Sequence, residues 1–189
     1  MRHSFTVLLV ASLAMLGACR NGGSVVDTGG RGGDKVPVGE VALLEHEYVN
    51  HAWGYQHRGI VVAGDGTVSS YEWARGETPW PETDRPVKTG ESLTEKYSHA
   101  RTVLGTIGAD TLALVRGLLA AAELGKISEK EARGADMGQY TRFAYRYTPE
   151  SGTYTQILLR SDGDFVWSNT SPEAARLAEI VDAIAGRYQ

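Results

Sequence analysis

Three of the five histidines in this chain lie in one polar stretch, LEHEYVNHAWGYQHRG, which begins at residue 44. His46 and Glu47 invite comparison with the motif H-E-x-x-H, in which two histidines four residues apart on a helix bind one zinc ion. His51 lies five residues after His46, which is about 140° around a helix axis and on the opposite face of a strand. The two histidines cannot share a metal in that way, so the sequence predicts no metal site here.

The same stretch can instead be read as a strand. Strand alternation then places His51, Trp53, Tyr55 and His57 on one side, as an aromatic surface for a sugar, a peptide or another flat ligand. Alternatively, Trp53 and Tyr55 are core residues between two solvated histidines. Trp80, in the segment PWP, either contacts a partner from an exposed loop or packs onto the sheet.

Sequence patterns for nucleophilic catalysis are missing. The chain has no G-x-S-x-G, and Ser92 lacks a lysine three residues later. Asp162 and Asp164 flank a glycine at a predicted turn, where the backbone itself favours aspartate. The sequence predicts no cofactor, and it leaves open a hydrolase in which His51 or His57 meets a nucleophile and an acid from distant segments.

Short strand-like runs and helical patterns alternate from residue 41 onward. The pair Asp65-Gly66 between two apolar runs predicts a hairpin, and turns at 149–152 and 162–163 predict a three-stranded meander. This order of elements predicts an α+β domain. We expect an antiparallel sheet of about five or six strands with two or three helices packed on one face.

Three segments carry helical signals. One helix is predicted between Asp110, as its N-cap, and Gly125, and a shorter one over 93–104. The last helix is predicted to begin with Ser171 as its N-cap and Pro172 in its first turn. The apolar stripes expected to face the core are Leu112, Val115, Leu118, Leu119 and Ala122 in the first helix, and Leu177, Ile180, Val181 and Ile184 in the last.

Composition divides the chain into a folded part and a flexible part. Residues 20–40 contain seven glycines and no sustained apolar period, which predicts a tether over 19–40. Residues 41–189 are predicted to form a single domain, with an exposed Pro-rich loop near 76–92. The net charge of −4 and the absence of a basic run argue against nucleic acid as a partner.

The N-terminus has the three-part layout of a secretory signal. Arg2 and His3 precede an apolar run over 5–18, and the chain's single cysteine, Cys19, follows at once. The segment LGAC, residues 16–19, resembles the lipobox of bacterial lipoproteins. The resemblance implies that the Cys19 thiol receives a diacylglycerol and that residues 1–18 are removed as a signal peptide. The alternatives are an ordinary cleaved signal with an incidental cysteine and a chance apolar start in a cytosolic protein.

This resemblance implies a location and a class of protein. The chain is expected to be a lipid-anchored lipoprotein of the cell envelope, most simply with a binding or structural role and no catalysis. Arg20 stands where an aspartate would favour inner-membrane retention, so in a diderm the outer membrane facing the periplasm is expected. The expected partners are the membrane, through the lipid, and an envelope protein, peptide or glycan. By its layout, the segment 60–185 also resembles small bacterial domains of unknown function, which implies a fold and no activity.

Overall fold

The computed structural model describes residues 39–81 and 85–188. Within these ranges the chain forms nine strands and three helices. In chain order these are β1 (Leu44–Asn50), β2 (Gln56–Val62), β3 (Thr67–Trp73), β4 (Val87–Thr89), α1 (Gly90–Ser98), β5 (Thr102–Thr106), α2 (Ala109–Glu123), β6 (Glu131–Ala132), β7 (Gln139–Thr148), β8 (Thr153–Gly163), β9 (Phe165–Ser168) and α3 (Pro172–Ala185).

The strands form one sheet in the order β5-β3-β2-β1-β7-β8-β9-β6, and β4 pairs with β8 beside this path. Every pairing between these strands is antiparallel. The first strand in the chain, β1, lies inside the sheet because it pairs with β2 on one side and with β7 on the other. Side chains of β1 therefore have neighbours on two strands.

The two faces of the sheet bury different cores. On the face covered by α2 and α3, which we call the helix-pair face, the core is aliphatic, with Leu44, Ile157 and Leu177 among its buried residues. On the opposite face, which we call the α1 face, Leu93 and Tyr97 of α1 pack against an aromatic core. That core comprises Val41, Ala42, Tyr55, Val61, Tyr71, Trp73, Trp80, Leu93, Tyr97, Tyr145 and Tyr154.

The α+β architecture and its antiparallel sheet confirm the prediction from the sequence. The hairpin forms between β2 and β3, where Gly66 takes a positive φ of 89° that a turn of this kind requires. The meander forms from β7, β8 and β9. In α3 the Ser171 side chain accepts a hydrogen bond from the Ala174 amide, with Pro172 in the first turn, as predicted.

The predicted number of five or six strands is wrong, because β4, β5 and β6 are additional. β4 and β6 are three and two residues long, too short to show an alternating pattern, and β5, of five residues, begins within the segment predicted as a helix over 93–104. The predicted position of the helices is also incomplete, since α2 and α3 share one face and α1 lies on the other.

The helix expected over 93–104 is shorter and earlier than predicted. It occupies Gly90–Ser98 and begins at the side chain of Thr89, which accepts a hydrogen bond from the Ser92 amide. The helical path ends at His99, whose backbone is extended, and Ala100 then takes a positive φ of 42°. The β-branched residues Thr102 and Val103 continue as β5. Within the segment predicted as a loop near 76–92, residues 87–92 thus belong to β4 and α1.

The predicted signal peptide, Cys19 and nearly all of the predicted tether lie outside the described residues. In the part of the chain that is described, none of the helices has the length and apolarity needed to cross a bilayer.

Candidate functional site

Strand β1 carries polar side chains toward both faces of the sheet. Alternation along the strand directs Glu45 and Glu47 to the α1 face, and it directs His46 and Tyr48 to the helix-pair face. Each set of side chains meets a different environment. The domain therefore has two candidate sites, one buried and one open.

The buried site is an ion cluster beneath α1. Lys96 extends from α1 into the sheet, where its Nζ lies 2.8 Å from Glu45 Oε1 and 3.4 Å from Glu47 Oε1. His57 Nε2 lies 2.6 Å from Glu47 Oε1. We call this set the buried ion network; its members are Glu45, Glu47, His57, Lys96, Tyr71 and Tyr145.

Two tyrosines complete the coordination of one carboxylate. The hydroxyl of Tyr71 donates to Oε1 of Glu45, and the hydroxyl of Tyr145 donates to its Oε2. Tyr71 comes this close because Gly59 has no side chain: a Cβ at that position would lie 2.8 Å from the Tyr71 hydroxyl oxygen. Every member of the network is buried, so the arrangement joins strands and helix inside the fold.

Charge pairing outweighs burial in setting the ionisation of this network. Burial alone would raise the pKa of Glu47, but the charge on Lys96 and the hydrogen bond from His57 lower it to about 2. Burial would lower the pKa of Lys96, yet the two carboxylates raise it. Burial, and after it the charge of Glu45, raises the pKa of Tyr71 and of Tyr145 well above its usual value. At neutral pH the network holds charged Glu47 and Lys96 with neutral tyrosines.

The lowered pKa of Glu47 predicts a loss of stability in acid. A carboxyl group whose pKa falls on folding stabilises the folded state above its unfolded pKa, and this contribution disappears as the pH drops toward the folded pKa. We expect wild type to exceed Glu47→Gln in free energy of unfolding by on the order of 3 kcal/mol at pH 7, and the difference to shrink between pH 4.5 and pH 2. Urea unfolding followed by circular dichroism over this range measures it. A difference that stays constant down to pH 2.5 would contradict the assignment.

The structure places the four residues of the predicted aromatic surface, together with Trp80, in two environments. Trp53 is 67% exposed and His51 is also exposed, whereas Tyr55, His57 and Trp80 are buried. The Tyr55 hydroxyl joins the buried three, since it lies 2.6 Å from His57 Nδ1 and accepts a hydrogen bond of 3.3 Å from the Trp80 amide. The His51 ring packs on Tyr55 at a centroid distance of 5.4 Å. Four of the five thus come together, but mostly inside the domain.

Trp80 packs onto the sheet rather than projecting from its loop. Only 3% of it is exposed, and its ring contacts two lysine ammonium groups. Lys96 Nζ is 4.6 Å from the ring centroid and Lys88 Nζ is 5.0 Å from it. Such cation–π contacts strengthen when the ammonium is desolvated, and both lysines are fully buried. The PWP segment therefore closes the α1 face over the buried ion network.

The open site is a groove on the helix-pair face, beside the end of α3. It has a volume of about 470 Å³, and its lining includes His46, Tyr48, Arg58, Glu72, Tyr140 and Tyr188. Four of these residues form one transverse line across neighbouring strands, because Glu72 pairs with Arg58, Arg58 with Tyr48, and Tyr48 with Tyr140. We call this line the cross-strand row.

Aromatic and cationic groups make contact along the row. The Arg58 guanidinium lies 4.7 Å from the centroid of the Tyr48 ring, and the Tyr48 and Tyr140 rings are 4.6 Å apart. Tyr140 is 39% exposed. Within 39–81 and 85–188, neither Arg58 nor Glu72 has an ion-pair partner, so both keep hydrogen-bonding capacity for a ligand.

His46 closes one end of the row. Its ring lies 5.9 Å from that of Tyr140, and its Nε2 is 3.8 Å from Asp182 Oδ1. Burial, followed by the charge of Arg142, lowers the pKa of His46. The neutral imidazole offers the groove a further polar group without adding charge.

This groove is not predicted by the sequence. Tyr48 and Arg58 belong to the same polar stretch as the predicted aromatic surface, but they alternate with the residues of that surface along the chain. Their partner Tyr140 lies in β7, far along the chain. The one local signal was the period of two in β1, which gives its second face the residues His46 and Tyr48.

The described histidines do not form a nucleophilic centre. Their polar partners are the carboxylates of Glu47, Glu77 and Asp182 and the hydroxyls of Tyr55 and Tyr71, and no serine or threonine hydroxyl is among them. Nor do the described ranges contain a group of three or more His, Cys, Asp or Glu residues placed to hold a metal ion. The arrangement of the groove suits binding.

No protein-family model, curated protein or solved structure matches this chain. The functional interpretation therefore rests on the geometry of the domain and on the sequence. The resemblance of its layout to small bacterial domains of unknown function stays a prediction.

Proposed function

We propose that this protein is a lipid-anchored binding protein of the bacterial cell envelope, and that its ligand occupies the groove on the helix-pair face. The observation that carries the proposal is the cross-strand row, in which Arg58 and Glu72 lie side by side next to two tyrosine rings and neither has an ion-pair partner among the described residues. Concave sites with aromatic walls and a few oriented polar groups are typical of small-molecule binding.

The buried ion network does not compete for this role. Its carboxylates are already bound by Lys96, His57 and two tyrosine hydroxyls, and Trp80 covers it. A ligand would have to displace these contacts and leave buried charges unpaired, which costs several kcal/mol per ion. We therefore assign the network to stability and the groove to binding.

The membrane part of the proposal is supported by the sequence alone. The apolar run of 14 residues would reach about 21 Å as a helix, which is short of a bilayer core of about 30 Å, so a removable signal fits better than a permanent span. A diacylglycerol plus a further acyl chain anchors a protein stably, whereas a single chain does so only marginally.

Cys19→Ser is expected to abolish lipid attachment, because serine has no thiol to form the thioether. The full-length chain would be expressed in a diderm host fed an alkyne-tagged fatty acid. Wild type is expected to carry the label and to remain in the membrane after carbonate extraction, whereas the variant should carry none. Gly17→Ala, which keeps the cysteine and a small residue before it, should be labelled like wild type. Labelling of Cys19→Ser would contradict the proposed anchor.

The groove is tested in the same preparations. Components of an envelope extract retained by wild type are expected to be lost from Tyr140→Ala, which removes the exposed ring of the row. Phe165→Ala is the matched control, because Phe165 is also 39% exposed but lies outside the groove lining. Retention that is unchanged in Tyr140→Ala would refute the groove as the binding site.

A further inference from the structure

We propose that the groove binds an uncharged sugar ring of a glycan, which stacks on Tyr140 and bonds to Arg58 and Glu72. This inference rests on the proposed function and names the chemical class of its ligand.

The exposed ring of Tyr140 supplies a platform for a flat ligand with an apolar face. It packs on Tyr48 at a centroid distance of 4.6 Å with 41° between the ring planes, and 39% of Tyr140 remains exposed in the groove lining. The face of a tyrosine ring gains stability from apolar contact, and the hydroxyl group at its end can still form hydrogen bonds. One face of a pyranose presents C–H groups, which fit such a platform.

The Tyr48 ring, on which Tyr140 packs, is held in position by contacts to its hydroxyl and to its ring face. Its hydroxyl donates to the Met137 carbonyl at 3.2 Å and accepts from the Asn50 side-chain amide at 3.0 Å. The Arg58 guanidinium covers the ring. A side chain restrained in this way loses little rotamer freedom when a ligand binds, which favours affinity.

The charges beside the platform favour a neutral ligand with many hydroxyl groups. Arg58 offers only donors, and Glu72, directly opposite it on β3, offers only acceptors. An anion would meet repulsion from Glu72, and a cation would meet repulsion from Arg58. A sugar hydroxyl both donates and accepts, so neighbouring hydroxyls can satisfy both side chains without a net charge. Ser70 and Thr102 add two further hydroxyl-bearing residues to the lining.

The dimensions of the groove agree with a short oligosaccharide. Its volume of about 470 Å³ lies within the roughly 300–1,000 Å³ that is usual for small-molecule sites. Arg58, Glu72 and Tyr140 are all exposed, so the groove is open along the row and a longer glycan can continue out of it.

The test is a calorimetric titration of the full lipidated protein in a detergent without a sugar headgroup. The probes are three neutral trisaccharides (cellotriose, maltotriose and tri-N-acetylchitotriose) and two charged ones (trigalacturonate and triglucosamine). At least one neutral trisaccharide is expected to bind, and Tyr140→Ala should weaken it by about tenfold or more, which corresponds to the loss of an aromatic contact. Phe165→Ala should bind like wild type.

A second variant keeps the test valid if Tyr140→Ala is poorly folded. Glu72→Gln keeps the shape of an exposed side chain and replaces its charged acceptor with a neutral amide, and we expect it to weaken the neutral trisaccharide by about threefold or more. Neutral binding that neither variant weakens would overturn the proposal.

The remaining outcomes separate the ligand class from the proposed function. Binding of charged trisaccharides alone would overturn the neutral-sugar inference, and so would the absence of any trisaccharide binding. In both cases the binding function survives if Tyr140→Ala still loses components of the envelope extract. If no trisaccharide binds and Tyr140→Ala retains the same components of the envelope extract as wild type, both the neutral-sugar inference and the proposed binding function of the groove are overturned.

Discussion

Replacement of Lys96 by methionine is expected to destabilise the domain by about 3–5 kcal/mol. Lys96 is fully buried and is the ammonium partner of both Glu45 and Glu47. Methionine fills a similar volume, so the loss is electrostatic and not steric. Without the ammonium group, two carboxylates remain buried close together, and burial then opposes their ionisation. Urea unfolding at pH 7, monitored by circular dichroism, measures the loss.

Two further variants isolate the charge. Lys126→Met removes an exposed lysine and is expected to change the free energy of unfolding by no more than about 0.5 kcal/mol. Lys96→Met combined with Glu45→Gln and Glu47→Gln removes all three charges and should regain part of the lost stability, because replacing a whole buried ion group is often neutral. A triple variant less stable than Lys96→Met would show that hydrogen bonding, rather than charge balance, governs the network.

Trp80→Ala is expected to destabilise the domain by about 3–5 kcal/mol, the usual range for truncating a buried tryptophan. The change opens a cavity on the α1 face and removes the ring that contacts Lys88 and Lys96. Both ammonium groups would lose their aromatic neighbour, and water would gain access to the buried ion network. Thermal unfolding should show a lower melting temperature, with an increased rate of amide hydrogen exchange in α1.

Trp53 provides the matched control for that experiment. It is the same residue type, but it lies in the segment between β1 and β2 and is 67% exposed. Trp53→Ala should therefore change stability by no more than about 0.5 kcal/mol. If Trp80→Ala had the same free energy of unfolding as Trp53→Ala, the PWP segment would not be part of the core, and Trp80 would again be a candidate for contact with a partner.

The elements that were predictable from the sequence are those with local signals. The turn at Asp65-Gly66 depends only on its own backbone geometry. The start of α3 is marked by two adjacent residues, Ser171 and Pro172. The stripe of Leu177, Val181 and Ile184 follows the helical period, and all three side chains are buried. Such features do not depend on which segment packs against them.

The candidate sites were not predictable because their partners are distant in the chain. From the segment LEHEYVN alone, Glu45 and Glu47 resemble solvated surface charges. Only the tertiary structure shows that Lys96 and Tyr145 face them. Glu45 and Tyr145 are separated by 100 residues. The PWP segment has the composition of an exposed loop, and only the tertiary structure shows that Trp80 is buried.

The interior position of β1 in the sheet has a consequence for the time course of folding. Its partner β7 begins at Gln139, so β1 stays unpaired along one edge until that part of the chain has been synthesised and delivered. Closing such a long loop is an entropic cost that must be met before the contact forms, which slows folding. The hairpin of β2 and β3 can form early, but the pairing of β1 with β7 in the middle of the sheet forms late. A nascent chain of this protein therefore exposes an unpaired strand edge, with its free backbone N–H and C=O groups, until β7 has been synthesised, and chaperones that bind extended segments gain time to act on it.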